Sequence, residues 1–397
     1  MNISKRAQNI SPSATLAVGE KARELRQQGK EIVNLSAGEP DFDTPEDVKR
    51  AGIKALDEGL TKYTNTTGID ELKEAIQDKF SKDNSISYSF SEITACAGAK
   101  QALYNTLSVL CDEGEEVVVP TPCWVSYIEQ IKLVGATPIF VNTDRESEYI
   151  PRAEDIEAHI TPRTKALIIN TPNNPTGAVY PKELLEEISK VVKRNNIWLI
   201  SDEVYEKLVF DGTCHYSVVT LDPEMKDFTI VVNAVSKTYS MTGWRLGYAA
   251  GPERVIKVIG SLQSHTTGNP ANMSQKAAAH ALRNNMNYLE WVDEFDRRRR
   301  YVLERLNNMP GMKCSVPRGA FYVFPDASGV MGKSREGQTI NNSLDLAAYF
   351  LEEAQVALVP GEAFAAQNHL RISYVNSMEQ IEKGLDNMAR ALQKLFY

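Results

Sequence analysis

The sequence has no apolar run approaching the roughly 20 residues needed to cross a bilayer, and its opening, MNISKRAQNISPSAT, lacks the apolar stretch of a signal peptide. A soluble, cytoplasmic protein with no membrane partner is the expectation. Cysteine is scarce. The five present, Cys96, Cys111, Cys123, Cys214 and Cys314, are odd in number and widely spaced, with no C-x-x-C pair. That pattern excludes a disulfide framework and a zinc motif and predicts buried free thiols. The five histidines show no ligand spacing, so no metal is expected. Positive charge is in deficit, 44 Lys and Arg against 52 Asp and Glu, for a net charge of -8. A general nucleic-acid binder needs a basic face, so nucleic acid is not an expected partner. No internal repeat or low-complexity linker interrupts the chain.

What is there is ordinary globular material: 397 residues, 42% hydrophobic and 24% charged. Disordered, collagen-like and coiled-coil chains have other compositions, and this length suits about two or three domains. From Ser91 to Gly260, short β-rich runs alternate with helical stretches. The strand candidates are EITACAG, EEVVVPTP, TPIFVNT, TKALIINTP, IWLISDEVY, TIVVNAVSK and WRLGYAAGP. Several are continuously apolar and β-branched, as strands covered on both faces are. The alternation predicts an α/β fold, a mostly parallel sheet of these seven strands between helices. The last hundred or so residues differ. A helix over Asn287 to Asn307 carries Trp291, Val292, Phe295, Val302 and Leu306 at helical spacing, and leads into AFYVFPD, LDLAAYFLEEA, VALVPG, HLRISYV and a closing amphipathic helix. These predict a smaller α+β domain. The first forty or so residues, with no strand pairing of their own, are expected to pack on it. The expected organisation is an N-terminal arm over 1–45, a large domain over 46–286 and a small domain over 287–397.

Two signals are weighed down. The run Arg297 to Arg300 lies beside Glu290, Asp293, Glu294 and Asp296, which predicts a solvated, salt-bridged helix face. Gly332-Lys333-Ser334 mimics a phosphate loop, but Ala327 stands where that loop needs its first glycine, and no clear helix follows.

Ligands of open α/β sheets bind beyond the carboxyl ends of the strands, so the residues that follow each apolar run are the candidates. After EITAC come Gly98, Ala99 and Lys100, small residues opening a helix whose free N–H groups can reach a phosphate. A plain strand-to-helix turn gives the same pattern. After KALII comes a rigid turn of prolines and asparagines that includes Asn174. After IWLIS come Asp202 and Tyr205, and Asp202 taken singly reads equally as a helix cap. After TIVVNAV come Ser236 and Lys237, with Arg245 eight residues beyond the lysine. A lysine there is costly to desolvate unless its amine is used or paired. Together these tips gather an amine, a carboxylate, an amide, a phenol and a phosphate-binding turn. That set fits pyridoxal phosphate better than a nucleotide, since no G-x-G-x-x-G accompanies it.

NNPTG, SDEVYEKL and SKTYSMTGWRLGY resemble the motif set of the class I aminotransferases, pyridoxal-phosphate enzymes of fold type I. AGEPDFDTP, KYTNTTGIDELK and LRISY are similar to the same family, so the resemblance spans nearly the whole chain; GAKQALYN and CWVSY resemble its bacterial aspartate aminotransferase branch. The resemblance implies a Schiff-base lysine at Lys237, and Asp202 on the pyridine nitrogen. It puts Asn174 and Tyr205 on the phenolic oxygen, with Trp124 stacked on the ring. Gly98, Ala99, Lys100, Ser236 and Arg245 would hold the phosphate, joined by Tyr63 of a neighbouring subunit in a homodimer with shared sites. Arg371 would fork onto the substrate α-carboxylate with help from Gly38, and Lys100 would face a distal carboxylate. The implied reaction is ping-pong transfer of the amino group of L-aspartate to 2-oxoglutarate, giving oxaloacetate and L-glutamate. Transamination of other amino acids or of prephenate, or β-elimination, are the alternatives. Two positions depart from the family pattern. Ser11 stands where prephenate-accepting relatives can carry a basic residue, and Cys123 where an aromatic often precedes Trp124.

Overall fold

Seven short runs, most of them apolar and β-branched, build one sheet: β1 (Ile93–Cys96), β2 (Glu116–Thr121), β3 (Thr137–Asn142), β4 (Thr164–Asn170), β5 (Trp198–Asp202), β6 (Thr229–Ala234) and β7 (Gly247–Ala250). The structure, a computed structural model, describes all residues except 1, 2, 5–7, 9, 285–287 and 397. Strand order is β1-β7-β6-β5-β4-β2-β3. The pairs among β2 to β6 are parallel, whereas β7 is antiparallel to both β1 and β6. The seven-stranded, mostly parallel sheet expected from the sequence is present, with one strand reversed. That reversal decides what meets at one edge: β1, β5 and β6 finish there at Cys96, Asp202 and Ala234, and β7 begins there at Gly247.

Helix α1 (Ala14–Gln27) precedes the sheet and buries Ala22 against Ile32 and Ala357. Strand alternation sends Ile168, Ile200 and Val232 to one face of the sheet, under α2 (Ala99–Leu110). Leu167 and Leu199 face the opposite way, under α3 (Lys182–Asn195). Leu184, Leu185, Ile188, Val191 and Val192 recur on α3 at the spacing that makes one apolar stripe. Continuing along the chain are α4 (Glu253–Thr266) and α5 (Asn272–Asn284).

Beyond them, α6 (Tyr288–Asn307) and α7 (Met378–Phe396) pack with three short antiparallel strands, in which Leu370–Ser373 lies between Val359–Pro360 and Tyr322–Val323. Their core includes Phe295, Val302, Leu306, Phe321, Ile372, Leu385 and Leu392. Asn287, where the sequence pattern starts α6, and the boundary between 286 and 287 lie outside the described residues. Among the described residues no helix is long and apolar enough to cross a membrane.

Three expectations need correction. The first forty residues do contain a strand: Val33–Asn34 pairs in parallel with Val356–Ala357. Two residues are too short for periodicity to reveal. The arginine run is salt-bridged but only half solvated, because Arg298 and Arg299 are 4% and 1% exposed. Arg298 forks onto Asp41 at 2.8 and 3.1 Å and donates to the Val375 carbonyl; Arg299 bonds Asp211, Asp296 and the Pro317 carbonyl. Of the five free thiols, Cys214 is exposed and Cys314 half-buried, while Cys96, Cys111 and Cys123 are buried.

Candidate active site

The gathered strand ends line a cavity of about 590 Å³. Because β5 alternates, Asp202 faces the same side as Ile200 and points into this cavity. The Tyr127 hydroxyl donates to its Oδ2 at 2.5 Å and the Val204 N–H to its Oδ1 at 3.3 Å. Burial nevertheless pushes the Asp202 carboxyl up to about 6. Lys237 opposes that shift only from a distance, and among the described residues no ion pair reaches the carboxylate.

Lys237 stands in a single helical turn, Val235–Thr238, that directly follows β6. Its Nζ donates to the Gly38 carbonyl at 2.5 Å. Burial pulls the amine down to about 8; Glu39 opposes the shift, while Arg371 and Arg245 add to it. After β4, Asn170 Oδ1 accepts the Asn174 N–H at 2.9 Å, and Asn170 Nδ2 donates to the Asp202 carbonyl at 3.0 Å. The turn is thereby tied to β5 and Asn174 is fixed, its own Oδ1 accepting from Arg371 Nη1 at 3.1 Å.

Arg371 comes from the central strand of the three-stranded sheet and is 1% exposed. Its guanidinium lies 4.5 Å from the Tyr322 ring centre and 5.1 Å from that of Phe364, with Nη2 on the Ser36 carbonyl at 2.7 Å. Among the described residues its Nε has no partner. A buried guanidinium with a free donor suits an incoming carboxylate. Tyr205 meets Tyr322, hydroxyl to hydroxyl, at 3.0 Å.

At the start of α2, Gly98 takes φ +88, and no side chain caps the helix. A Cβ on Gly98 would sit 2.6 Å from Arg245 Nη2, and one on Gly247 would sit 2.3 Å from the Ala99 nitrogen. Gly247 therefore lets the turn cross the start of β7 this closely, and Gly98 supplies the positive-φ backbone that the turn takes. Ala99, Lys100, Ser236 and Arg245 line the cavity beside that uncapped helix end. Free N–H groups, a hydroxyl and cations in one place suit a phosphate-sized anion. Lys100 Nζ lies 5.0 Å from the Trp124 ring centre, its pKa lowered by burial and by Arg245.

Gly38, Ala99, Lys100, Trp124, Asn174, Asp202, Tyr205, Ser236, Lys237, Arg245 and Arg371 thus meet in one cavity, with Gly98 at its edge. Tyr63 does not join them. It is 97% exposed and outside the cavity of its own chain. The sequence reading missed Tyr127, Tyr322, and the Ser13, Thr15, Glu20 and Arg23 wall contributed by α1 and its approach. Tyr127 had a signal, three residues beyond Trp124 on a helix. The α1 wall had none, because its residues follow no apolar strand.

Among the described residues one further cluster, Glu203, Glu206 and His215, brings metal-ligating atoms within 4.8 Å of one another. The Lys79 ammonium, 2.5 Å from Glu206, already supplies a cation there.

The family profile for aminotransferase class I and II matches residues 30–388. The aspartate aminotransferase of Geobacillus stearothermophilus is 43% identical over 396 residues, 99% of each chain. A probable aspartate/prephenate aminotransferase of Rickettsia bellii is 44% identical, again over 99% of each. Among solved structures, the aspartate aminotransferase from Rhizobium meliloti aligns over the whole of both chains with a TM-score of 0.96 at 41% identity. That of Thermus thermophilus with maleate gives 0.92 at 43% identity, over 98% of this chain and all of the other.

Proposed function

The chain belongs to the class I and II aminotransferases, and from that premise we propose that it is a pyridoxal-phosphate-dependent aspartate aminotransferase. It passes the amino group of L-aspartate to 2-oxoglutarate and releases oxaloacetate and L-glutamate. The observation that carries this reading is one buried amine, Lys237, within electrostatic reach of Asp202, Arg371 and Arg245 in a single cavity.

The residues fit pyridoxal phosphate. The uncapped end of α2 at Gly98 to Lys100, with Ser236 and Arg245, would hold its phosphate, joined by Tyr63 of a second copy. Asp202, which makes no direct ion pair among the described residues, would pair with the protonated ring nitrogen; Asn174 and Tyr205 would bond the phenolic oxygen and Trp124 would cover the ring. When bound, the cofactor supplies an aldehyde that joins the substrate amine and a cationic ring that accepts the electron pair left on Cα. Arg371 grips the substrate α-carboxylate with its planar fork, and the backbone at Gly38 closes the same end. Lys237 Nζ, uncharged in a working fraction near neutral pH because burial holds it at about 8, takes the substrate Cα proton and delivers it to the cofactor carbon across the nitrogen. Lys100 offers positive charge to the distal carboxylate of aspartate or glutamate. The same residues then run the sequence in reverse on 2-oxoglutarate, a ping-pong cycle. The reading includes a cytoplasmic homodimer and the division into 1–45, 46–286 and 287–397.

The relatives named aspartate/prephenate aminotransferases keep prephenate as the second reading. Against it, Ser11 brings no cation; its N–H donates to Glu129 at 3.0 Å.

The test is the visible spectrum of the cofactor-loaded protein before and after L-aspartate alone. Conversion to the pyridoxamine spectrum, reversed by 2-oxoglutarate, is expected. Silence toward aspartate with a response to another amino acid would move the specificity. Release of ammonia and pyruvate from an amino acid that carries a leaving group on Cβ, such as L-cysteine, would make the protein a lyase. No visible band after reconstitution would overturn the reading.

A further inference from the structure

The segment 60–69 joins the helix Glu46–Asp57 to the helix Asp70–Asn84 and carries Tyr63. A connection with so exposed a side chain at its tip is ordinarily held loosely. This one is clasped. Asn272, the first residue of α5 and only 8% exposed, donates from Nδ2 to the carbonyls of Leu60 at 3.1 Å and Lys62 at 2.6 Å. Its Oδ1 accepts from Thr64 Oγ1 at 3.2 Å, so its contacts bracket Tyr63 on both sides. Asn269 steadies the bracket: its Nδ2 donates to Asn272 Oδ1 at 3.1 Å, and its Oδ1 accepts the Thr64 N–H at 3.4 Å. Further along, Gln263 donates to the Thr66 carbonyl at 2.8 Å and Gln275 accepts the Ile69 N–H at 2.8 Å, both from fully buried side chains.

Burying amide side chains costs free energy that only well-made hydrogen bonds offset. Here Asn272 commits both amide N–H groups to the backbone of a loop, and Gln263 and Gln275 each add one bond to it, although the loop's most prominent side chain touches almost nothing in its own chain. That expenditure is explained when the side chain works elsewhere and its direction must be fixed beforehand. A donor held in place loses little freedom on engaging its acceptor, so more of its hydrogen bond appears as affinity.

We propose that Asn272 is a positioning residue for Tyr63, fixing the backbone on either side of it so that its phenol meets the phosphate held by a second copy of this chain. The inference rests on the reading above, in which Tyr63 serves the phosphate of its neighbour. It makes one demand that a general structural role for Asn272 does not: loss of Asn272 weakens ligands that carry the phosphate and spares those that lack it.

The test measures the affinity of cofactor-stripped protein for pyridoxal phosphate and for pyridoxal by equilibrium dialysis, with sedimentation velocity reporting assembly. Tyr63→Phe and Asn272→Ser are each expected to weaken pyridoxal phosphate about tenfold, the effect of one charge-assisted hydrogen bond. Pyridoxal should change by less than about twofold, and the double variant should bind no worse than the weaker single one. Thr64→Val, which removes only one hydroxyl from the bracket, should weaken pyridoxal phosphate about two- to threefold. Additive losses in the double variant, or an equal loss for pyridoxal, would overturn the inference. So would full affinity in Asn272→Ser and Thr64→Val beside a weakened Tyr63→Phe, and that result would leave the role of Tyr63 standing. Unchanged affinity in Tyr63→Phe would remove the inference and the underlying role together. If Asn272→Ser does not fold, Thr64→Val alone and combined with Tyr63→Phe carries the same comparison.

Discussion

Asp202 holds a carboxylate where burial makes charge expensive, and its Tyr127 and Val204 bonds do not cancel that cost. Its folded-state pKa, about 6, lies above the ordinary 3.8. Between those values the folded chain binds more protons than the unfolded one, so stability falls as pH rises through the interval and the loss is complete above about 6. A cationic ring nitrogen would reverse the sign, which is how a site can be costly empty and favourable filled. In the cofactor-free protein, Asp202→Asn is therefore expected to unfold a few degrees higher than the parent at pH 7.5 in a calorimeter. The gap should close as pH falls toward about 4, and the variant should bind pyridoxal phosphate far more weakly at every pH. A variant less stable than the parent at pH 7.5 would show that the carboxylate is satisfied by its own chain.

The turn after β5 is braced by a neighbouring helix. Glu206, buried just beyond Asp202 and Tyr205, pairs with Lys79 of the helix Asp70–Asn84 at 2.5 Å and accepts from Asn233 of β6 at 2.9 Å. Burial alone would raise this carboxyl; Lys79 and His215 hold it at about 2 instead. Removing one partner of a buried pair strands the other, at about 3–5 kcal/mol. Lys79→Met should lose about that much stability in urea unfolding at pH 7, and adding Glu206→Gln should restore most of it. A depressed carboxyl stabilises above its ordinary 4.5 and ceases to as pH falls to about 2, so parent and variant should converge in acid. A loss under about 1 kcal/mol at pH 7 would mean water reaches the pair. Much at this scale was legible in the sequence. Several of the strands were continuous β-branched runs, and Asp202, Asn174 and Lys237 stood at or just beyond their ends, where a parallel sheet exposes its residues. The direction of β7 was not legible, because a four-residue run, Gly247–Ala250, with three small residues and one tyrosine carries no pattern that distinguishes parallel from antiparallel pairing. Nor was the burial of Arg298 and Arg299. A charged helix reads the same whether its arginines face water or reach Asp41 and Asp211, distant in sequence and close only after folding. The α1 wall stayed hidden for the same reason, since only tertiary packing brings Thr15 and Arg23 to the cavity.

At the scale of the molecule, the cavity collects its groups from across one chain, with Gly38 near one end and Arg371 near the other, yet Tyr63 stays outside. In the proposed dimer each site takes Lys237 from one chain and Tyr63 from its neighbour. This arrangement makes a prediction that no single chain can imitate. A Lys237→Ala homodimer lacks the reacting amine in both sites, and a Tyr63→Phe homodimer lacks the phosphate-binding phenol in both. In a hybrid of the two, the site built on the Tyr63→Phe chain has its own Lys237 and receives an intact Tyr63 from the Lys237→Ala chain. That one site is native in both residues, and the other lacks both. If Tyr63 served its own chain, every site of the hybrid would lack one of the two and nothing would be restored. Co-expression with two different tags isolates the hybrid. At pyridoxal phosphate concentrations too low to fill the Tyr63→Phe homodimer, it should turn over aspartate at about half the parental rate, one native site in two. Titration should give parental affinity at one site per two chains. A hybrid no more active than its parent homodimers under these conditions would place Tyr63 outside the neighbouring site.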